Sequence, residues 1–202
     1  MLVVTWPFAR TARPAGCPPV EIRVRLEDGA TVRLRDATPA DAARLRAMFF
    51  TLSESTRYLY FCAGVPATDA FAAQVAKLGL ADGFGTYAMV VEAGGTVVGV
   101  ARFDRNTETN FAEIGILLTD AWQSRGVGQA VVARLREEAD CRAIAGFTAT
   151  VLGENRRAMR LLRGAFPNLR AAFAYGQYEL TMSFAASTAT QPVAEGVSQH
   201  AV

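Results

Sequence analysis

One stretch constrains the fold more than any other: residues 111–138, FAEIGILLTDAWQSRGVGQAVVARLREE. Residues 112–118 are apolar except for Glu113, rich in Ile and Leu, and followed by polar residues, which predicts a short buried strand. After the turn TDAWQSRGVG, the residues Val127, Val131, Val132 and Leu135 recur at helical spacing, while Arg134, Arg136, Glu137 and Glu138 stay polar. The first amides of such a helix have no intrahelical partner, and the macrodipole favours negative charge beside them. Gly126 and Gly128 lack a Cβ, so a bulky anion can approach the backbone. The turn therefore predicts a phosphate or pyrophosphate ligand, against the plainer alternative of a strand-to-helix turn that uses glycine for geometry. The Gly-Lys-Ser/Thr ending of a mononucleotide loop is absent, and so is the GxGxxG register of a dinucleotide fingerprint.

The six residues Gln123-Ser124-Arg125-Gly126-Val127-Gly128 resemble the Q/R-x-x-G-x-G/A signature of the GNAT N-acetyltransferases. The resemblance implies a loop that holds the pyrophosphate of acetyl-CoA as the acyl donor. It marks Thr119, Gln123, Ser124, Arg125, Gly126, Val127, Gly128 and Gln129 as donor-binding candidates. It also implies that the strand before the loop splays from its neighbour, and that the backbone N–H of Leu118 receives the thioester carbonyl. A second segment, Val151-Leu152-Gly153-Glu154-Asn155 followed by Ala158, Leu162 and Ala165-Phe166, resembles the family's later helix, with Asn155 near the pantetheine arm. Leu162 stands where many members carry the tyrosine that protonates the leaving thiolate. Solvent, or a tyrosine from elsewhere, would take that role here.

A chain of 202 residues suits one domain of ordinary size with tails, large enough to bury its own core. A net charge of +2 argues against nucleic acid as a partner, and the scattered arginines read as a solvated surface. No run approaches the 18 or so apolar residues of a membrane helix, and the start lacks the pattern of a signal peptide. Cys17, Cys62 and Cys141 have no metal-ligand spacing and suggest a reducing cytoplasm rather than a disulfide framework. No metal is expected.

Taken in order, residues 1–19 read as an irregular leader with four prolines. Alternation at Val20, Ile22, Val24 and Leu26, an Asp28-Gly29 turn, then Val32 and Leu34 predict a hairpin. Thr38, Pro39 and Asp41 mark the start of a helix that runs to about Phe50. Further helices are predicted over 53–61 and 68–78, strands over 86–92, 96–103 and 147–152, and a helix over 154–162. The last hairpin is predicted over 170–174 and 178–184, around Gly176. Residues 185–202 lack a core-forming pattern and read as a disordered tail. The expected fold is α/β, a mixed and mostly antiparallel twisted sheet with helices on both faces. It matches the order of the GNAT domain from 20 to 184.

Acetyl transfer to an amine needs a held donor, a neutral nucleophile and a stabilised oxyanion. A lysine-like acceptor, with pKa about 10.4, is about 3.4 units from neutral at pH 7, roughly 4.6 kcal/mol, so a base must take its proton. His200, the only histidine, lies in the expected tail. Glu113 is the candidate base, an acid in the sheet five residues before Leu118; pairing with Arg102 is its alternative role. Arg57, Tyr58 and Tyr60 are candidates for the acceptor side, unless the tyrosines simply pack on the core. Residues 34–61, 98–105 and 112–128 look most like the acetyltransferase domain of bacterial protein-lysine acetyltransferases, in which a glutamate at this place is taken as the base; homodimers are common in the GNAT family. The expected activity is acetyl transfer from acetyl-CoA to a primary amine, a protein lysine or a small amine. The alternative is a non-catalytic acyl-CoA-binding module, with a nucleotide-phosphate binder ranked after both.

Overall fold

Hydrophobic alternation forms the first hairpin of the computed structural model, which describes residues 17, 19–79 and 85–184. Glu21–Arg25 (β1) pairs antiparallel with Thr31–Asp36 (β2), with Ile22 opposite Leu34 and Val24 opposite Val32. β1 is an edge strand, so Val20 and Leu26 are buried as expected, but Ile22 stays 38% exposed. The expected tail with His200, and the expected leader apart from residues 17 and 19, lie outside the described residues.

Thr38 is extended, and its N–H and hydroxyl both donate to Asp41 Oδ2, at 2.9 and 3.0 Å. A single 3-10 turn, Pro39–Asp41, then leads into Ala42–Phe50 (α1). Glu54–Phe61 (α2) is capped by Ser53, whose hydroxyl accepts from the Thr56 N–H, and Asp69–Leu78 (α3) follows. The remaining elements are Thr86–Ala93 (β3), Thr96–Arg105 (β4), Phe111–Leu118 (β5), Val127–Cys141 (α4), Gly146–Leu152 (β6), Arg156–Ala165 (α5), Arg170–Ala174 (β7) and Gln177–Ser183 (β8). α5 begins two residues later than the sequence predicts because Asn155 is its cap.

The eight strands form one sheet in the order β1-β2-β3-β4-β5-β6-β8-β7, antiparallel throughout except at β5/β6. That parallel seam pairs only Phe111, Ala112 and Glu113 with Gly146, Phe147 and Thr148. Beyond Glu113 the two strands diverge, although β5 continues to Leu118 and β6 to Leu152. The apex of the resulting V is pinned by the Ala145 N–H to the Asn110 carbonyl and by Asn110 Nδ2 to the Ala143 carbonyl.

Side-chain alternation along β5 assigns its two faces to two cores. Ala112 and Leu118 pack with Val127, Val131 and Leu135 of α4 and with Met159 and Leu162 of α5. Leu117 packs on the opposite face with Leu45, Met48 and Phe49 of α1 and with Ala72 and Val75 of α3.

Two expectations are corrected here. Cys17 and Cys141 form a disulfide, with Cα atoms 5.8 Å apart across 124 residues, so the cysteines do not all remain thiols; Cys62 is free. The arginines are also not simply solvated. Arg35 bonds both Asp41 (2.6 Å) and Glu92 (2.7 Å), and Arg44 reaches the same two carboxylates at 3.2 and 2.6 Å. Asp41 and Glu92 are buried at 2% and 7% exposure, Glu92 beside a register shift of β3 against β4. Burial without counter-charge would be costly for both acids, so the arginines are what permit it.

Candidate active site

The site assembles where β5 runs out. The Thr119 N–H donates to the Val98 carbonyl of β4 at 2.9 Å. Because hydrogen-bonding direction alternates along an antiparallel ladder, the neighbouring N–H and C=O of Leu118 point the other way, into the V. The Leu118 carbonyl accepts from Gln123 Nε2 at 3.0 Å. A 3-10 turn, Asp120–Trp122, which the sequence does not reveal, then carries the chain to the glycine loop.

In that loop Ser124 and Gly126 adopt positive φ, 58° and 86°, which turns the chain sharply enough for α4 to start at Val127. Gly126 is the N-cap, and no side chain caps the helix. The Gln129 and Ala130 N–H groups bond the Gly126 carbonyl, so the helix begins with the unpartnered amides of Val127 and Gly128. A β-carbon on Gly128 would stand 3.0 Å from Leu161, so α5 closes tightly over the start of α4. Arg125 is anchored: Nε bonds Asp28 Oδ2 at 2.6 Å, and the guanidinium lies 4.2 Å from the Trp122 ring centroid. Gln129 lies in the first turn of α4, its Oε1 near Gly126.

Gln123 links three elements. Nε2 donates to Thr56 Oγ1 on α2 as well as to Leu118, and Oε1 accepts from Arg157 Nη1 on α5 at 2.6 Å. Asp120, which sequence reasoning passed over, accepts from the Ser53 N–H, the Ser53 hydroxyl and the Thr56 hydroxyl. Burial pushes the Asp120 carboxyl up, but these hydrogen bonds outweigh it and hold it below the ordinary range. Its position three residues before the signature was the available signal. Together these bonds lay α2 across the mouth of the V.

Asn155 caps α5, with Oδ1 accepting the Ala158 N–H at 3.1 Å. It borders a pocket of about 280 Å³ between α2 and α5, lined by Ser55, Tyr58, Leu59, Glu154, Asn155, Arg156 and Arg157. The Glu154 carboxylate beside the Tyr58 hydroxyl raises the pKa of the phenol. Leu162 is a core residue at 4% exposure.

Glu113 lies at the apex of the V, opposite Asp104 on β4 and Thr148 on β6. It does not pair with Arg102, whose guanidinium forks onto Asp104 at 2.6 and 2.8 Å. Glu113 shares the α2-facing side of β5 with Gly115, over which the Tyr60 hydroxyl rests. Arg57 leaves the list of acceptor-side residues, because its guanidinium bonds the Val65 and Leu52 carbonyls.

Fold and loop define an α/β protein whose sheet opens at one seam, with an uncapped helix N-terminus at the mouth of the opening. A family model described as Acetyltransferase (GNAT) domain matches residues 31–165. Among solved structures, the GNAT domain of S. lividans PAT is similar at 28% identity, over 84% of this chain and 98% of that one, with a TM-score of 0.73. A putative acetyltransferase from Salmonella typhimurium, with its cofactor acetyl-CoA, shares the fold at 18% identity and TM-score 0.57, over 80% and 98% of the two chains. Spermidine N-acetyltransferase from Vibrio cholerae, in complex with CoA and spermine, shares it at 14% and 0.58, over 75% and 95%. The chain belongs to the GNAT acetyltransferase family. No described helix is long and apolar enough to cross a membrane.

Proposed function

We propose that this protein transfers an acetyl group from acetyl-CoA to a primary amine by direct attack. The observation that carries the reading is the Leu118 amide, turned into a gap whose mouth is the uncapped start of α4. The amides of the first turn suit a pyrophosphate, and the absence of side chains at Gly126 and Gly128 lets it approach. Thr119, Gln123, Ser124, Arg125 and Val127 flank those glycines, Gln129 lies in the first turn of α4, and the pocket that Asn155 borders would suit the pantetheine arm.

Glu113 takes the proton of the incoming ammonium, directly or through water. The amine nitrogen then attacks the carbonyl carbon, and the electron pair that moves onto the carbonyl oxygen is met by the Leu118 N–H. Collapse breaks the C–S bond with its electrons on sulfur, and the nitrogen, which gained a positive charge on attack, gives its remaining extra proton to water as the neutral amide forms. Leu162 offers no proton, so solvent protonates the thiolate, an easy step for a group of pKa about 8.5. A protein lysine is the favoured acceptor, supported by the likeness to S. lividans PAT, with small amines next.

Incubation with acetyl-CoA and a lysine-containing peptide, followed by mass spectrometry, tests the reading. Acetylated peptide and free CoA are the expected products. Tight acetyl-CoA binding without transfer to the peptide, to spermine or to other amines would instead favour a non-catalytic acyl-CoA-binding module.

A further inference from the structure

Tyr60 sits where a packing residue has no need of a hydroxyl. It reaches from α2 onto the middle of β5, and a β-carbon built on Gly115 would stand 2.9 Å from the hydroxyl oxygen. Only glycine leaves room for this approach. No described residue hydrogen-bonds that hydroxyl, although its ring is packed with Phe61 and borders the α1–α3 core. Tyr60 is half-buried, so a hydroxyl that no described protein group engages is left open to water or to a ligand at the edge of the gap.

Three observations say which kind. Glu113 is two residues from Gly115 on the same face of β5, about 7 Å along the strand. Arg102 neutralises Asp104, whereas Glu113 has no ion pair among the described residues, so the ground under Tyr60 is net negative. Finally, Tyr60 and Glu113 lie on the α2 side of the sheet, and the glycine loop serves α4 on the other side, so this half of the gap faces away from the phosphates.

We propose that Tyr60 is an acceptor-binding residue: its hydroxyl, over Gly115 between Glu113 and Leu118, steers a primary amine on an unbranched alkyl arm toward the Leu118 amide, with Glu113 reached through water. Resting on the acetyltransferase reading, it names the residue that positions the nucleophile. Burial pushes the Tyr60 phenol up to about 12, Arg102 opposing and Asp104 and Glu113 adding, so it stays a neutral hydrogen-bonding group while the amine is deprotonated by Glu113. The slender arm follows from the close packing of Tyr60 on Gly115, which favours a thin chain beside the hydroxyl, such as a lysine side chain or polyamine, over a branched one.

The test measures acetyl-CoA binding by calorimetry, and CoA release with n-propylamine, a lysine peptide and spermine, on wild type, Tyr60→Phe and Gly115→Ala. Tyr60→Phe keeps the ring and removes the hydroxyl; Gly115→Ala keeps the hydroxyl and displaces it. Both are expected to raise the amine KM about tenfold, the scale of one hydrogen bond, with acetyl-CoA affinity unchanged. An unchanged amine KM in both variants overturns the proposal. Loss of acetyl-CoA affinity in Tyr60→Phe overturns it too, because Tyr60 would then serve the donor. So does wild-type protein that binds acetyl-CoA but releases no CoA with any of the three amines. Wild-type protein that does not bind acetyl-CoA removes the acetyltransferase reading and this proposal with it.

Discussion

Gln123 donates its side-chain amide to the carbonyl of Leu118, 3.0 Å away, so the first residue of the signature is bonded to the strand end whose N–H faces the gap. Through Thr56 and Arg157 the same side chain ties down α2 and α5. The loop thus shapes the cleft as well as offering amides to a ligand.

Gln123→Ala should therefore unlink α2, β5 and α5 together. Three hydrogen bonds disappear, one with the exposed Arg157 and two with the buried Thr56 and Leu118, so the expected loss is about 1–3 kcal/mol. Hydrogen exchange should quicken at residues 54–61. Unchanged exchange there would mean that Asp120 alone holds α2 in place.

Glu113→Gln should leave acetyl-CoA affinity intact and lower the transfer rate about 10²–10⁴-fold, the usual contribution of a positioned base. Single-turnover rates with saturating acetyl-CoA are the measurement. Raising the pH, which supplies neutral amine from solvent, should narrow the gap between variant and wild type.

The Arg35 cluster makes stability fall in acid. Its hydrogen bonds hold the Asp41 carboxyl far below the ordinary range; burial pushes Glu92 up, but Arg35 and Arg44 outweigh it and lower it as well. Carboxyls depressed in the folded state add stability above their unfolded pKa of about 4, and that stability is lost as pH falls toward the folded values. Urea midpoints should therefore decline below about pH 4. Arg35→Ala removes the arginine that bridges both buried carboxylates but leaves Arg44 on each of them, so it should cost about 1–3 kcal/mol at neutral pH.

Removing the Cys17–Cys141 bridge with Cys141→Ser should destabilise the protein by about 2–4 kcal/mol, because it closes a loop of 124 residues. Cys62→Ser serves as the control. Burial pushes the Cys62 thiol up, so it should react slowly with thiol reagents in the folded protein. Equal stability of wild type and Cys141→Ser would show the bridge to be unformed in solution.

What could be read from the residues follows from range. The helices and strands were legible because each is written in local periodicity: Val127, Val131 and Leu135 for α4, the alternation through Val32 and Leu34 for β2. The glycine turn was legible because its chemistry lies within six residues. Contacts between distant segments were not. Nothing near Cys17 points to Cys141, and nothing near Ser53 points to Asp120. Arg35, Asp41 and Glu92 look like surface charges until three elements converge on them. Arg57 and Tyr60, three residues apart on α2, looked alike as acceptor-side candidates. Folding separates them, sending Arg57 to backbone carbonyls and Tyr60 onto β5.

The most direct test of the central claim is calorimetric titration of acetyl-CoA into the wild-type protein, Gly126→Ala and Gly126→Glu. Gly126 has φ 86°, so the alanine variant reports backbone strain alone, and the glutamate adds a negative charge at the start of α4. Saturable binding by wild type, weaker binding by Gly126→Ala and none by folded Gly126→Glu are expected. Folded wild-type protein that fails to bind acetyl-CoA, or Gly126→Glu that binds it as well as wild type, would contradict that claim.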